Sequence, residues 1–238
     1  MSEPYQPDNL LDRRSDPETL QVHYDQEYRR ERALLERRLH LRGGDVLSVG
    51  CGWHPGRHLF PKPAFRITGV DVDGAKVRNL LRSGELDAGT TARAGELPYE
   101  PTSFDVVLYR LVLHHIAYQG PLGPVIAEGA RLLRPGGALI AVEPGLWHPV
   151  GAGLALANRL GLGPWVHGTP DDIPLSPRTL ERAARAAGLE TELHAVTYGW
   201  RRLPPRAQRA LHALDPLGSR RGLAPFGHTL MLIARRPP

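Results

Sequence analysis

The sequence predicts an α/β fold, in which apolar strands alternate with amphipathic helices around a mostly parallel sheet. A β-branched apolar run at 46–49 stops abruptly at a glycine-rich turn, as buried parallel strands do. Similar runs at 66–71, 104–109 and 138–143 are separated by stretches with helical periodicity. Ligands of such sheets bind outside the carboxyl ends of the strands, so the residues that follow each strand are candidates for a site.

The composition fits one globular domain. A chain of 238 residues with 41% hydrophobic and 23% charged residues can bury a core of its own. No window reaches the roughly 18 uncharged apolar residues of a membrane span, and the first residues lack the apolar segment of a secretory signal. The single cysteine, Cys51, cannot form an internal disulfide. We therefore expect a cytoplasmic protein, with peripheral membrane contact left open.

The chain is basic, with a formal net charge of +5 and a pI of about 9.7. Almost all of the positive charge is arginine, and its excess lies in the C-terminal part. Such a charge suits nucleic acid, an anionic membrane or a phosphorylated substrate. The arginines are not interleaved with aromatic residues as in a base-stacking surface, so we expect a solvated surface and no nucleic-acid partner.

The N-terminal part predicts a flexible segment over 1–18 and a helix over 19–42. Tyr24 and Tyr28 lie one helical turn apart and therefore share a face. Two glycines end the helix. An apolar stripe for packing is formed by Leu34, Leu35 and Leu39.

A glycine loop follows the first strand in the segment VLSVGCGWHPG at 46–56. Gly50 and Gly52 allow a sharp turn and a close approach of the main chain to a ligand. The next strand ends at Asp71, about 20 residues on, where a carboxylate can accept both hydroxyls of a ribose. Neither G-x-G-x-x-G nor a P-loop lysine is present, so the pattern favours a nucleoside without a phosphate chain.

One spacing in this loop could suggest a metal site, because Cys51, His54 and His58 lie close in sequence. A structural zinc needs four ligands, and no partner cluster exists elsewhere in the sequence. We therefore predict no metal.

Four stretches together identify a resemblance. They are VLSVGCG at 46–52, ITGVDVD at 67–73, ELPYEPTSFDVVLYRLVLHHI at 96–116 and ARLLRPGGALIAVEP at 130–144. In this order and spacing, the sequence resembles the class I S-adenosylmethionine-dependent methyltransferases of the small-molecule type. The resemblance implies a Rossmann-like three-layer sandwich with a seven-stranded, mostly parallel sheet whose last strand is antiparallel. It also implies a single domain over 1–238.

The resemblance implies S-adenosylmethionine as the cofactor and a set of site residues. The helix over 19–42 would be a lid above the cofactor. Catalytic candidates are His114, His115 and Arg110, the histidines because a near-neutral pKa suits a general base. The implied cofactor-binding residues are Ser48, Gly50, Cys51, Gly52, Asp71, Val72, Ala94, Gly95, Tyr109, Arg110, Tyr24 and Tyr28.

Two positions depart from the pattern of that family. Ser48 stands where the family has an acid in the first strand, and Arg93 stands where it often has an aspartate before Ala94. An arginine has no hydrogen-bond acceptor and cannot receive a bond from the adenine amino group.

Two segments interrupt the regular alternation, a predicted substrate cap at 146–175 and an Arg/Pro-rich insert at 200–227. The cap contains an apolar helix and the candidate substrate residues Trp147, His148 and Trp165. Because the cap follows the fifth strand, we expect it to roof the site over an apolar or lipid-like acceptor. The alternative is a helix that only covers the edge of the sheet.

The leading hypothesis is methyl transfer from S-adenosylmethionine to a small-molecule or lipid-like acceptor. Such an in-line displacement mainly needs alignment and a dry site, so no catalytic triad is required. One alternative is a methyltransferase-like binding protein with weak or no turnover, which the departures at Ser48 and Arg93 favour. A less favoured alternative is an RNA methyltransferase. The Asn/Asp-Pro-Pro-Tyr/Phe loop of amino-group methylation is absent after the fourth strand.

Overall fold

A seven-stranded sheet forms the centre of the computed structural model, which describes residues 17–163 and 173–238. The strand order is β3-β2-β1-β4-β5-β7-β6, and every pairing is parallel except the two made by β7. The predicted fold class is therefore confirmed, including the antiparallel last strand. The strands are β1 (Gly44–Val49), β2 (Phe65–Asp71), β3 (Ala88–Thr91), β4 (Phe104–Arg110), β5 (Leu133–Pro144), β6 (Glu190–Thr197) and β7 (Thr229–Arg235).

Helices cover both faces of the sheet and make it the middle of three layers. The helices are α1 (Pro17–Leu39), α2 (Gly74–Arg82), α3 (Leu113–Gln119), α4 (Leu122–Leu132), α5 (Pro149–Arg159), α6 (Pro177–Ala186) and α7 (Pro205–His212). One apolar core packs α3, α4 and α6 on one face, and a second packs α1 and α2 on the other. Among the described helices, none is long and apolar enough to cross a membrane.

The topology collects several strand ends at one edge of the sheet. β1 pairs with β2 on one side and with β4 on the other, so the chain order reverses between β1 and β4. Such a switch point opens a crevice for a ligand. Because β7 is antiparallel, its first residue Thr229 pairs with Pro144, the last residue of β5. We call this edge, formed by the carboxyl ends of β1, β2, β4 and β5 and the start of β7, the carboxyl edge.

The fifth strand begins directly after a helix. β5 starts at Leu133, immediately after α4, and runs through the glycines at 136–137. Arg134, its second residue, bonds to Asp105 at 2.6 Å and to Asp45 at 3.1 Å, near the starts of β4 and β1.

Candidate active site

The glycine loop after β1 has the backbone that only glycine adopts easily. Gly50 and Gly52 have φ angles of 64° and 50°. A Cβ atom on Gly50 would lie 2.3 Å from the side chain of Val112, so the loop packs tightly against the chain that enters α3. A Cβ atom on Gly52 would meet nothing closer than 3.9 Å. Gly52 therefore leaves the open space that a ligand needs to approach the main chain.

Asp71 at the end of β2 is held by this loop. Its carboxylate accepts hydrogen bonds from the amides of Gly52 and Asp73, both at 2.9 Å. A carboxylate has about four acceptor sites, so two remain for the hydroxyls of a ribose. The loop and the acid are thus brought together as predicted, and their chemistry fits the nucleoside end of S-adenosylmethionine.

Two other predicted cofactor residues of this strand and loop have buried side chains. Ser48 lies within β1 with 3% exposure, and the Cys51 side chain packs in the core shared by α1 and α2. Burial and the neighbouring Asp71 charge raise the pKa of the Cys51 thiol to about 12. Only main-chain atoms at these two positions are therefore suited to contact a ligand at the carboxyl edge.

Exposed apolar groups lie beside Asp71. Val72 is 71% exposed directly after the acid, and the turn that carries Ala94 and Gly95 follows β3 nearby. Trp53, which the sequence reasoning did not select, is 50% exposed immediately after Gly52. An aromatic residue directly after a glycine pair is the signal that could have identified it. These surfaces could hold the adenine end of the cofactor.

The middle of α1 reaches the carboxyl edge through a cluster in which buried Glu31 and Arg110 contact half-buried Tyr28 and His58, and which we call the Glu31 cluster. Arg110 at the end of β4 donates to both oxygens of Glu31, at 3.0 and 2.9 Å. His58, in the segment after the glycine loop, bonds to the same carboxylate at 2.9 Å. The Tyr28 ring stacks on His58 with centroids 4.2 Å apart and lies 4.9 Å from the Arg110 guanidinium.

The electrostatics of the Glu31 cluster keep both charges in place. Burial alone would raise the pKa of Glu31, but Arg110 and the hydrogen bond from His58 outweigh burial and lower the pKa to about 2. Burial likewise opposes the charge on Arg110, yet Glu31 raises its pKa. The Arg110 side chain is only 6% exposed and both of its bonds go to Glu31. The predicted catalytic and cofactor-binding roles of Arg110 are therefore replaced by an anchoring role for α1.

Two further predicted site residues belong to the interior. Tyr109 is fully buried, and its hydroxyl donates to the Val125 carbonyl at 2.9 Å, so its side chain cannot contact a cofactor. His114 is 4% exposed and bonds through Nδ1 to Glu143 at 2.6 Å. Glu143 also accepts from the amides that open α3. His114 therefore orients the start of that helix and is not placed to act as a base.

Three residues near the ends of β4 and α1 remain at or near the edge surface. His115 is half-buried, with its ring 4.0 Å from that of His114. Tyr24 is half-buried, with its ring 6.3 Å from the Tyr28 ring. Leu111, which the sequence reasoning did not select, has a φ of 54° and is 41% exposed. A left-handed leucine is uncommon, and such strain is often found at functional sites.

The cap after β5 is partly described. Trp147 packs 5.9 Å from the Phe226 ring and 5.0 Å from the Arg178 guanidinium. His148 is buried and accepts from the Val150 amide at 3.2 Å, which makes it the N-cap of α5 and corrects its predicted contact with substrate. Trp165 lies outside the described residues.

Within 17–163 and 173–238, no group of three His, Cys, Asp or Glu residues is arranged to hold a metal ion.

Comparison with known proteins agrees with this geometry. The family model described as a methyltransferase domain matches residues 47–141. A protein of Mycolicibacterium smegmatis described as a probable S-adenosylmethionine-dependent methyltransferase is 31% identical over an alignment of 176 positions, which covers 69% of this chain and 57% of that protein. The chain thus spans little more than half the length of that relative.

Two further comparisons cover most of both partners. The ubiquinone biosynthesis O-methyltransferase of Thiobacillus denitrificans is 30% identical over an alignment of 179 positions, which covers 69% of this chain and 72% of that protein. The crystal structure of an S-adenosylmethionine-dependent methyltransferase from Thermotoga maritima has the same fold, with a TM-score of 0.64 and 15% identity. It covers 92% of this chain and is itself covered to 91%. The chain belongs to the S-adenosylmethionine-dependent methyltransferase family.

Proposed function

We propose that the protein transfers a methyl group from S-adenosylmethionine to a hydroxyl group of a small acceptor with an apolar body. The proposal rests on one observation above all. The carboxyl edge offers hydrogen-bond acceptors for a nucleoside beside β2 and a projecting leucine at the end of β4. When bound, S-adenosylmethionine supplies a methyl group that its sulfonium has already activated. The protein then has to align the acceptor and exclude water.

Asp71 and the glycine loop carry the cofactor side of the proposal. The two acceptor sites left on Asp71 suit ribose hydroxyls, and Gly52 provides open space beside them. Val72 and Trp53 provide apolar surface for a base. With the ribose at β2, the reactive end of the cofactor would point toward β4, so the acceptor belongs next to Leu111.

Exposed apolar side chains at the carboxyl edge favour an acceptor with an apolar body. Leu111 is 41% exposed at the end of β4, and Phe226, which contacts Trp147, is 48% exposed. The cap adds three exposed leucines, namely Leu156, Leu160 and Leu162. Large apolar groups that stay exposed often mark a binding surface. The choice of oxygen as the methylated atom is supported by the similarity to the Thiobacillus relative, which is an O-methyltransferase.

A direct assay tests this proposal. Purified protein is incubated with S-adenosylmethionine carrying a deuterated methyl group and with catechol, 4-butylcatechol or 4-octylcatechol. We expect mass spectrometry to detect singly methylated products, with kcat/KM rising with the alkyl chain because apolar area is buried. Bulk RNA serves as the competing acceptor, and transfer to RNA in preference to the catechols would contradict the proposal.

Two variants connect the assay to the structure. Leu111→Asn keeps a residue that tolerates a positive φ but removes the apolar side chain, so we expect about a tenfold or larger loss of kcat/KM for 4-octylcatechol. Trp147→Ala is expected to reduce the gain from the alkyl chain while leaving cofactor affinity nearly intact. If Trp147 only covers the sheet edge, its removal lowers the melting temperature and spares activity per folded molecule.

A second candidate function is binding without turnover. Ser48 is buried within β1 where the resembled pattern has an acid, and Arg93 is exposed after β3 where that pattern often has an aspartate. This candidate predicts cofactor binding by calorimetry together with no methylated product from any acceptor.

A further inference from the structure

A second polar chain at the carboxyl edge links Glu27 of α1 to the start of β7. Thr229, the first residue of β7, donates its hydroxyl hydrogen to the Glu27 carboxylate. The same Thr229 oxygen lies 3.4 Å from Nδ1 of His228. Both Glu27 and Thr229 are 5% exposed. A carboxylate, a hydroxyl and an imidazole thus follow one another, as in sites where a base is oriented by further groups.

The donor pattern fixes which nitrogen of His228 is available. Thr229 spends its only hydrogen on Glu27, so its oxygen can only accept from Nδ1–H of His228. The lone pair then lies on Nε2. Within residues 17–163 and 173–238, no protein group is hydrogen-bonded to that Nε2. A bond of 3.4 Å is long, but catalytic hydrogen bonds often shorten only when substrate binds.

The position of His228 suits an acceptor site. Thr229 pairs with Pro144, so His228 lies at the carboxyl edge where β5 ends. Glu27 and Glu31 are one helical turn apart on α1, about 6 Å along its axis. Glu31 holds Arg110 at the end of β4. The Glu27 chain therefore begins about one helical turn from the end of β4, where the methyl group is expected.

Other histidines nearby have different roles. His148 packs with its ring perpendicular to His228 at 5.2 Å, but its Nδ1 accepts from the Val150 amide and its other nitrogen bonds to the Tyr198 backbone. His212 is also oriented through Nδ1, which bonds to Thr197 and Asp215, but it lies beside the end of β6, the outermost strand. His228 differs from it in position, because it precedes the residue that pairs with the end of β5, next to β4.

We propose that His228 is the general base that takes the proton from the acceptor hydroxyl, with Thr229 and Glu27 as positioning residues. This inference rests on the proposed function. In the step, the acceptor O–H bond breaks and its proton moves to Nε2 of His228. The oxygen forms a bond to the methyl carbon of the donor, and the carbon–sulfur bond breaks with its electron pair staying on sulfur.

The charges around His228 agree with a neutral ring. Burial lowers its pKa, and His148, Arg201 and His23 lower it further, so the ring keeps its lone pair at neutral pH. These groups come from the start of α5, the segment after β6 and α1. Glu27 also faces the ring from α1 through Thr229, and burial followed by the neighbouring Glu31 raises the pKa of Glu27.

Two acceptors that differ in acidity distinguish a loss of base catalysis from a loss of folded protein. Catechol keeps its proton in mildly alkaline buffer, whereas 4-nitrocatechol is already ionised and needs no base. We expect His228→Gln to lower kcat for catechol about 100-fold or more while changing kcat for 4-nitrocatechol only a few-fold. Thr229→Val is expected to act in the same direction, and Thr229→Ser to restore activity. His40→Asn, at the exposed far end of α1, is the matched control and leaves both rates unchanged.

A measurement that needs no methyl transfer tests which nitrogen of His228 carries the proton. Nitrogen-15 NMR of histidine-labelled protein is expected to show His228 as the Nδ1–H tautomer, with a signal that shifts in Thr229→Val. An Nε2–H tautomer overturns the inference, as do equal losses for both acceptors or no loss for catechol. If the wild type methylates neither catechol, the proposed acceptor class fails, and the tautomer alone then supports or overturns the assignment of His228.

Discussion

The β2–β1 side of the carboxyl edge is built mainly from main-chain geometry, whereas the β4–β7 side is built from ionisable side chains that α1 brings to it. On the first side, two positive-φ glycines and one carboxylate are joined by amide hydrogen bonds. On the second side, Glu31 and Glu27 of α1 are buried against Arg110 and Thr229. The first side leaves open space beside its groups, and the second holds a buried ion pair between Glu31 and Arg110 and a buried hydrogen bond between Thr229 and Glu27.

This difference shows how a methyltransferase can bind its cofactor and its acceptor with two different kinds of group. A cofactor shared across a family can be bound by groups that depend little on side-chain identity. Buried charges depend strongly on each partner, because removing one leaves the other uncompensated. We therefore expect substitutions on the α1 side to affect folding most and substitutions on the glycine side to affect cofactor affinity most.

The largest expected effect is on the Glu31 cluster. Glu31→Gln leaves the Arg110 charge buried without its partner, which should lower the free energy of unfolding by about 3–5 kcal/mol. Urea unfolding measures the change. The matched control is Glu36→Gln, which breaks the exposed pair between Arg32 and Glu36 and should cost less than about 1 kcal/mol. Equal losses in the two variants would contradict the comparison.

The pH dependence of stability tests His23 on the same side. Burial, followed by the charges of His212 and Arg201, lowers its pKa from 6.5 to about 4. The unfolded chain therefore binds a proton first, so the stability from neutral His23 is complete above about pH 6.5 and is lost as the pH falls toward 4. At about 1.4 kcal/mol per unit, the full loss is about 3 kcal/mol.

Unfolding curves of His23→Gln across this range measure that loss. His148 and His228 also have lowered pKa values and act with the same sign, so the variant should flatten the slope without abolishing it. An unchanged slope in the variant would show that His23 does not carry this dependence.

On the glycine side, Asp71→Ala should weaken the binding of S-adenosylhomocysteine by about 1.5–3 kcal/mol, the scale of hydrogen bonds to a charged group. Calorimetry measures the affinity. Asp73→Ala is the control two residues on, because Asp73 caps α2 through a 2.9 Å bond to the Ala75 amide. It should lose about 1 kcal/mol of stability and little affinity. Equal affinity of wild type and Asp71→Ala would refute the assigned site.

The smallest expected effect is at Gly52, where a comparison with Gly84 distinguishes backbone strain from lost contact with the cofactor. Gly52→Ala and Gly84→Ala both place a Cβ on a residue with positive φ, at 50° and 76°, with nothing crowding it within about 3.9 Å. Each should lose roughly 1 kcal/mol of stability. Only Gly52→Ala should also weaken cofactor binding, because Gly84 lies at the far end of α2. Thermal melts and calorimetry on both variants make the comparison.

The difference between the β2–β1 side and the β4–β7 side also explains what could be predicted from the sequence. Gly52 and Asp71 lie 19 residues apart and follow strand patterns, so local reasoning could place them side by side, as the hydrogen bond between them shows. The Glu31–Arg110 pair spans 79 residues and the Glu27–Thr229 pair spans 202, so no local pattern joins them. His23, Glu27 and Glu31 recur at every fourth position of α1, a spacing normally typical of a solvent-facing side. Their burial could not be predicted without knowing their partners.

Individual errors have the same origin. Tyr109 and His114 are polar residues directly after or near a strand end, which made them reasonable site candidates. Their partners, the Val125 carbonyl and Glu143, come from the neighbouring α4 and β5 and draw both side chains inward. His148 was likewise selected for its place after β5, and its role as an N-cap depends on where α5 begins.

The buried Cys51 thiol allows opening of the glycine loop to be measured by chemical modification. Cys51 is the only cysteine of the chain and its pKa is raised to about 12, so almost no reactive thiolate exists while the loop is closed. A thiol reagent can therefore modify the folded protein only during a local opening. The modification rate therefore reports how often the loop opens around the Cys51 sulfur. If added S-adenosylhomocysteine slows the modification, the ligand binds the loop, and no acceptor is needed for this measurement.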